Sequence, residues 1–93
     1  MNRVLLRSSA FVRAARRFIK KNPQSSAEIR SALELLSADP LHPRLKSHKL
    51  RGDLEGSWAC SAGYDLRLVF KFVEYKGAEA ILLESIGTHD EVY

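Results

Sequence analysis

The chain has 93 residues, 45 % hydrophobic and 28 % charged, with a formal net charge of +4. That length holds one domain over 1–93 and excludes a second core, and the apolar share excludes a disordered chain. No apolar run approaches the roughly 18 residues a membrane span needs, and the lone Cys60 excludes an internal disulfide and favours a reducing cytoplasm.

In chain order, Arg3-Val4-Leu5-Leu6-Arg7 is short, branched and apolar, the pattern of a first strand. Ser8 or Ser9 can cap a helix running to about Lys21, with Phe11, Ala15, Phe18 and Ile19 on one side. Arg13, Arg16, Arg17, Lys20 and Lys21 populate its remaining surface. Asn22-Pro23 stops it, because a residue before proline is pushed out of the helical region. Ser25-Ser26-Ala27-Glu28 has the spacing of a capping box and predicts a second helix. Ile29, Ala32, Leu33 and Leu36 form its apolar stripe, and Asp39-Pro40 closes it. So short a connection implies an antiparallel helical hairpin with both stripes against a sheet.

Residues 40–56 read as a long loop rich in Pro, Gly and basic residues, and such loops in small domains are commonly functional or mobile. Between His42 and Arg51 it carries Arg44, Lys46, His48, Lys49 and Arg51 and no acid. Three strands follow at about 57–62, 65–73 and 79–86, the last two joined by a turn at Glu74-Tyr75-Lys76-Gly77. The order predicts an α+β fold: an N-terminal strand and a helical hairpin packed on one face of a small, mainly antiparallel four-stranded sheet. Alternation in 65–73 assigns Leu66, Leu68, Phe70 and Phe72 to the covered face, and Asp65, Arg67, Val69 and Lys71 to the other. Cys60 reads as an inert strand thiol, and Trp58 as core at the strand start or, alternatively, a stacking surface for a base.

Charge is divided unevenly. Residues 1–51 hold 12 Lys/Arg against 3 Asp/Glu, and residues 52–93 hold 3 against 8. A basic half on a small domain points to nucleic acid or an acidic protein as partner, and the plainer reading is two solvated helix faces. Residues 1–27 are rich in Arg and Ser and carry no acid, as transit peptides do, and a basic amphipathic helix can lie on a membrane. Cleaving that segment would remove a strand and one of two helices, leaving too little core.

The tail Gly87-Thr88-His89-Asp90-Glu91-Val92-Tyr93 follows an apolar strand and places an imidazole and a phenol at the end. Such groups there suggest surface chemistry; the bland alternative is a tail whose Val92 and Tyr93 cover the sheet edge. The three histidines and one cysteine lack ligand spacing, and no Gly-rich loop follows a strand, so neither metal nor nucleotide cofactor is expected.

Three segments carry a resemblance: His48-Lys49-Leu50-Arg51-Gly52, then Ala62-Gly63-Tyr64-Asp65-Leu66-Arg67-Leu68-Val69-Phe70-Lys71, then the tail. In this order, over nearly the whole chain, they resemble the RelE/ParE superfamily of bacterial toxins, and most nearly its YafQ-type branch. The resemblance implies a RelE-like fold and a toxin–antitoxin system whose toxin cuts messenger RNA on the ribosome, without a cofactor. A cognate antitoxin would neutralise it by laying an acidic amphipathic segment on Arg13, Arg16, Arg17 and Lys20.

Metal-free RNA cleavage needs a base for the 2′-hydroxyl, cations for the phosphorane and an acid for the leaving 5′-oxygen. By resemblance, His48 and His89 are the proton-transfer pair, either one the base, with Arg67 stabilising charge and Asp65 orienting a histidine. Tyr93 matches a terminal aromatic that stacks a base or bonds the phosphate, and Arg44, Lys46, Lys49, Arg51 and Lys71 line the RNA path. This chain has Ser61 where the branch carries a further histidine, and Ser85 where it carries an arginine. The alternatives are a ParE-like inhibitor that binds DNA gyrase without cutting RNA, and an inactive toxin retained for its antitoxin.

Overall fold

The computed structural model describes residues 2–92. Strand β1 (Leu5–Arg7) leads into helices α1 (Ser9–Lys21) and α2 (Ser26–Ala38). Strands β2 (His48–Lys49), β3 (Trp58–Ser61), β4 (Leu66–Tyr75) and β5 (Ala78–Thr88) follow, then one helical turn, α3 (His89–Val92). The strands form one sheet in the order β1-β5-β4-β3-β2. β1 runs parallel to β5 and every other pair is antiparallel.

The sheet therefore has five strands, not the four expected. His48 and Lys49, read as loop, pair with Ala59 and Trp58. A strand of two residues is too short for alternation to reveal. The rest of the segment between α2 and β3 holds two 3-10 turns, Pro43–Leu45 and Gly52–Leu54.

Ser8 caps α1 as predicted, its hydroxyl accepting from the Phe11 N–H at 3.0 Å. The expected capping box at α2 does not form. Pro23 starts a 3-10 turn over Pro23–Ser25 that holds Ser25 in helical backbone, where its side chain caps nothing. The hairpin between β4 and β5 turns on Lys76 and Gly77, at φ 52° and 80°, the left-handed pair a two-residue turn requires.

One face of the sheet is covered by the helical hairpin. Phe11, Ile29, Ala32 and Leu36 pack there on Leu66, Leu68, Phe70, Ile81, Leu83 and Ile86. Trp58 joins this layer, its ring 5.4 Å from Phe72 and 6.4 Å from Phe70, so packing is its role. Burial of each large side chain here contributes about 1.5–3 kcal/mol.

β5 contains an irregularity that alternation alone would miss. Val69 faces Ser85 but Phe70 faces Leu83, so Glu84 is an extra residue without a partner. Strict alternation would turn Ile86 away from Ile81 and Leu83; the bulge returns it to their core. It also sets Gly87 opposite Arg67 and Thr88 opposite Leu66.

The other face carries a smaller apolar patch of Leu50, Ala59 and Val69, with Val92 packed on it. Val92 thus covers the open face rather than the sheet edge. No helix among the described residues is long and apolar enough to cross a membrane.

Candidate functional site

Cross-strand pairing decides which side chains meet on the open face. Ser61, Arg67 and Gly87 lie side by side on β3, β4 and β5. His48 stands opposite Ala59, which shares a face with Ser61 two residues on. With His89 at the start of α3, these positions enclose a cleft of about 380 Å³ lined by Lys46, His48, Ser61, Arg67 and His89. Gly87 supplies no side chain to this row, and a Cβ there would press within 3.2 Å of Glu91.

Arg67 is half-buried and fixed by the main chain. Its Nη1 donates to the Leu66 carbonyl at 3.2 Å and reaches the Gly63 carbonyl at 3.5 Å. Cys60 lies behind it, fully buried; burial pushes its thiol up to about 12, with the Arg67 charge pulling the other way. It is a packing group and not a nucleophile.

His48 is exposed, and Lys46 orients it. Lys46 adopts φ 52° and closes the Pro43–Leu45 turn, which aims its carbonyl at His48 Nδ1, 3.1 Å away. A carbonyl only accepts, so Nδ1 bears the hydrogen, and in the neutral ring the lone pair is on Nε2.

His89 is held from behind. Its N–H donates to the Asp65 carbonyl at 3.1 Å and to the Asp65 carboxylate at 3.3 Å, and its Nδ1 stands 3.7 Å from Asp90. The α3 turn is fastened by a capping box. The Thr88 N–H donates to Glu91 at 2.8 Å, and the Glu91 N–H to the Thr88 hydroxyl at 3.3 Å. The Thr88 main-chain N–H first, and the Thr88 hydroxyl second, hold the Glu91 carboxyl below the usual carboxylate range, assisted by Arg17 and Lys21.

The structure thus brings His48, Arg67 and His89 together with Lys46 and Ser61. Asp65 serves the main chain of His89. Arg44 lines a neighbouring groove, while Arg51 and Lys49 line another beyond His48. Lys49 Nζ also lies 5.7 Å from the Trp58 ring centroid. Lys71 is 3.6 Å from Glu84, which accepts from the Ser57 hydroxyl at 2.6 Å. Arg13, Arg16, Arg17 and Lys20 are exposed on α1, outside the cleft. Tyr93 lies outside the described residues. Among the described residues no group of three His, Cys, Asp or Glu is placed to hold a metal ion.

Sequence reasoning missed the contribution of the Lys46 carbonyl and the capping box of the tail. The second had a signal, since Thr88-x-x-Glu91 carries the spacing that was read at Ser25 instead.

Over residues 3–93 the chain matches the family described as bacterial toxin of type II toxin-antitoxin system, YafQ. It is similar to YafQ from E. coli strain BL21(DE3), with a TM-score of 0.78, 19 % identity and 98 % of each chain covered. It is similar also to the E. coli DinJ-YafQ toxin-antitoxin complex, at TM-score 0.76 and 19 % identity over 100 % of this chain and 99 % of that one. A YoeB/ParE toxin from Agrobacterium tumefaciens gives 0.75 and 14 %, covering 92 % of this chain and 98 % of its own. No curated protein sequence matches. The structural likenesses establish a shared fold, and the family match spans the strands, both helices and the His89 tail: the chain belongs to the YafQ family of type II toxin–antitoxin toxins.

Proposed function

We propose that this YafQ-family toxin is an endoribonuclease that cuts messenger RNA on the ribosome, using His48 as general base and His89 as general acid. One observation carries the reading: two imidazoles from distant segments and one fixed guanidinium line a single cleft. Nε2 of His48 removes the 2′-hydroxyl proton, and O2′ attacks phosphorus. The bond from phosphorus to the 5′-oxygen breaks, and the His89 imidazolium protonates that oxygen. The products are a 2′,3′-cyclic phosphate and a free 5′-hydroxyl. Arg67 and Lys46 stabilise the phosphorane charge, and Asp65 keeps His89 at the cleft mouth through its main chain. Tyr93 takes the base-stacking or phosphate-binding role of its terminal position.

The Lys46 carbonyl, 3.1 Å from Nδ1, favours a hydrogen on that nitrogen and so supports casting Nε2 of His48 as the base. Uridine 3′-p-nitrophenyl phosphate has a leaving group that needs no proton, so it bypasses the acid alone. On it His89→Ala should recover most of its activity, whereas His48→Ala should stay impaired by about 10²-fold or more. Equal recovery of both variants would exclude the assignment. Message cleaved in a translation extract supports the nuclease; blocked gyrase supercoiling with intact message supports a ParE-like inhibitor.

The DinJ-YafQ complex is a toxin-antitoxin complex, and the same arrangement is proposed for this chain in the cytoplasm. Exposed Arg13, Arg16, Arg17 and Lys20 on α1 suit an acidic antitoxin segment. Replacing Arg13, Arg16 and Arg17 should weaken antitoxin binding most at low salt; unchanged affinity at every salt concentration removes that surface from the interface.

A further inference from the structure

Beside the cleft runs a larger groove of about 820 Å³ that shares Lys46, Ser61 and Arg67 with it. Its walls are Glu28, Ser31 and Leu35 on α2, Arg44 from the 3-10 turn, and the Ala62–Tyr64 bend. That volume lies within the range of small-ligand sites, roughly 300–1,000 Å³.

Several features of this groove do nothing for the fold. Tyr64 is 100 % exposed, a large aromatic at the tip of a bend. Gly63 has φ 154°, and a Cβ there would run into the Glu28 carboxylate. The bend thus runs close against the end of the Glu28 side chain, and Glu28 and Arg44 both line the groove. Arg67, fixed by the Leu66 carbonyl, reaches both cavities from their shared border.

We propose that the groove is the subsite for the nucleotide next to the scissile phosphate. Tyr64 stacks the base, Arg44 contacts the outer phosphate, and Glu28 accepts a hydrogen bond from the base's amino group. The inference rests on the nuclease reading and adds to it one further nucleotide and a base preference. Two observations favour a single RNA strand as the occupant. The groove is continuous with the proposed reaction cleft through Arg67, and its cations, Arg44, Lys46 and Arg67, outnumber its one carboxylate. Unpaired bases are recognised by such pairs of an aromatic face and an edge-reading side chain. A glutamate accepts from an exocyclic amine and repels a carbonyl edge, so the preferred base carries an amino group.

The test is a translation extract supplied with one message, in which the RNA ends are mapped. Tyr64→Ala should lower cleavage roughly ten- to hundredfold at every site, and Tyr64→Phe, which keeps the stacking face, should restore it. Glu28→Gln, whose amide can also donate, should shift cleavage from amino-bearing bases toward carbonyl-edged ones, read as the ratio of mapped ends. Both positions are exposed, so melting temperatures should not move. If Tyr64→Ala and Glu28→Gln cut at the wild-type rate and sites, the groove is no subsite and the nuclease reading stands. If the wild type leaves the message intact, the nuclease reading fails and takes the subsite with it. A Tyr64→Ala variant that cuts normally but binds antitoxin poorly assigns the groove to the protein partner and overturns the proposal.

Discussion

His48 stands on a strand of two residues at the edge of the sheet, whereas His89 opens a helical turn at the end of a strand of 11. The first is set by a local contact, the carbonyl of a residue two positions back. The second depends on long-range register: the bulge at Glu84 rotates the end of β5, Asp65 anchors the main chain, and the Thr88–Glu91 box closes the turn. One small apolar patch joins the two supports. Val92, three residues after His89, packs on the patch that contains Leu50, two residues after His48. A local device can orient a ring, but bringing two rings into one cleft takes a tertiary contact.

The largest effects should come from the rings themselves. His48→Ala and His89→Ala should each lower cleavage of natural RNA by roughly 10²–10⁴-fold without changing the melting temperature. Mapping RNA ends across a dilution series of toxin checks this. Wild-type cleavage by either variant removes that histidine from the chemistry.

Next come the two supports. Val92→Asp places a charge on the patch of Leu50, Ala59 and Val69 and should separate the rings, lowering cleavage roughly tenfold to a hundredfold through misplacement. Val92→Ile keeps the contact and should stay near wild type. Lys46 offers the matching test on the other side. Its φ of 52° suits glycine and strains a β-branched residue. Lys46→Gly loses the charge but keeps the carbonyl in place, so it should cost about tenfold less activity than Lys46→Val, which disturbs both. Equal losses would mean that only the Lys46 charge matters.

The same contrast explains what the sequence disclosed. The Ser8 cap, the apolar face from Leu66 to Phe72 and the turn at Lys76-Gly77 are each set by neighbours in the chain, and each was legible. β2 was not, because two residues carry no period, nor was the bulge, because nothing local marks Glu84 as the extra residue. The capping box shows the limit of spacing alone. Ser25 and Thr88 both precede a glutamate by three, and only Thr88 caps, because Pro23 commits Ser25 to a 3-10 turn. At the site, His48, Arg67 and His89 were named from segments of family likeness, and their meeting in one cleft came from register. That Asp65 would hold the main chain of His89 was beyond any pattern.

The smallest effect concerns the box that supports His89. Glu91 has its carboxyl held below the usual range by Thr88, so the folded tail favours the carboxylate. A depressed folded value means the box is complete above the ordinary carboxylate pKa and is lost as pH falls through the lowered one. Protection of the Thr88 amide, measured against its intrinsic exchange rate at each pH, should therefore be high at neutral pH and fall only in acid, below the range where unconstrained glutamates titrate. Glu91→Gln keeps the acceptor without the charge, so protection there should lose its pH step and cleavage should fall only a few-fold. The core, Phe70 and Leu36 among it, lies outside this equilibrium, so the global melting temperature should stay fixed while the tail loosens. A coincident drop in both would show that α3 is part of the cooperative fold, and the contrast between a locally set and a register-set histidine would then collapse.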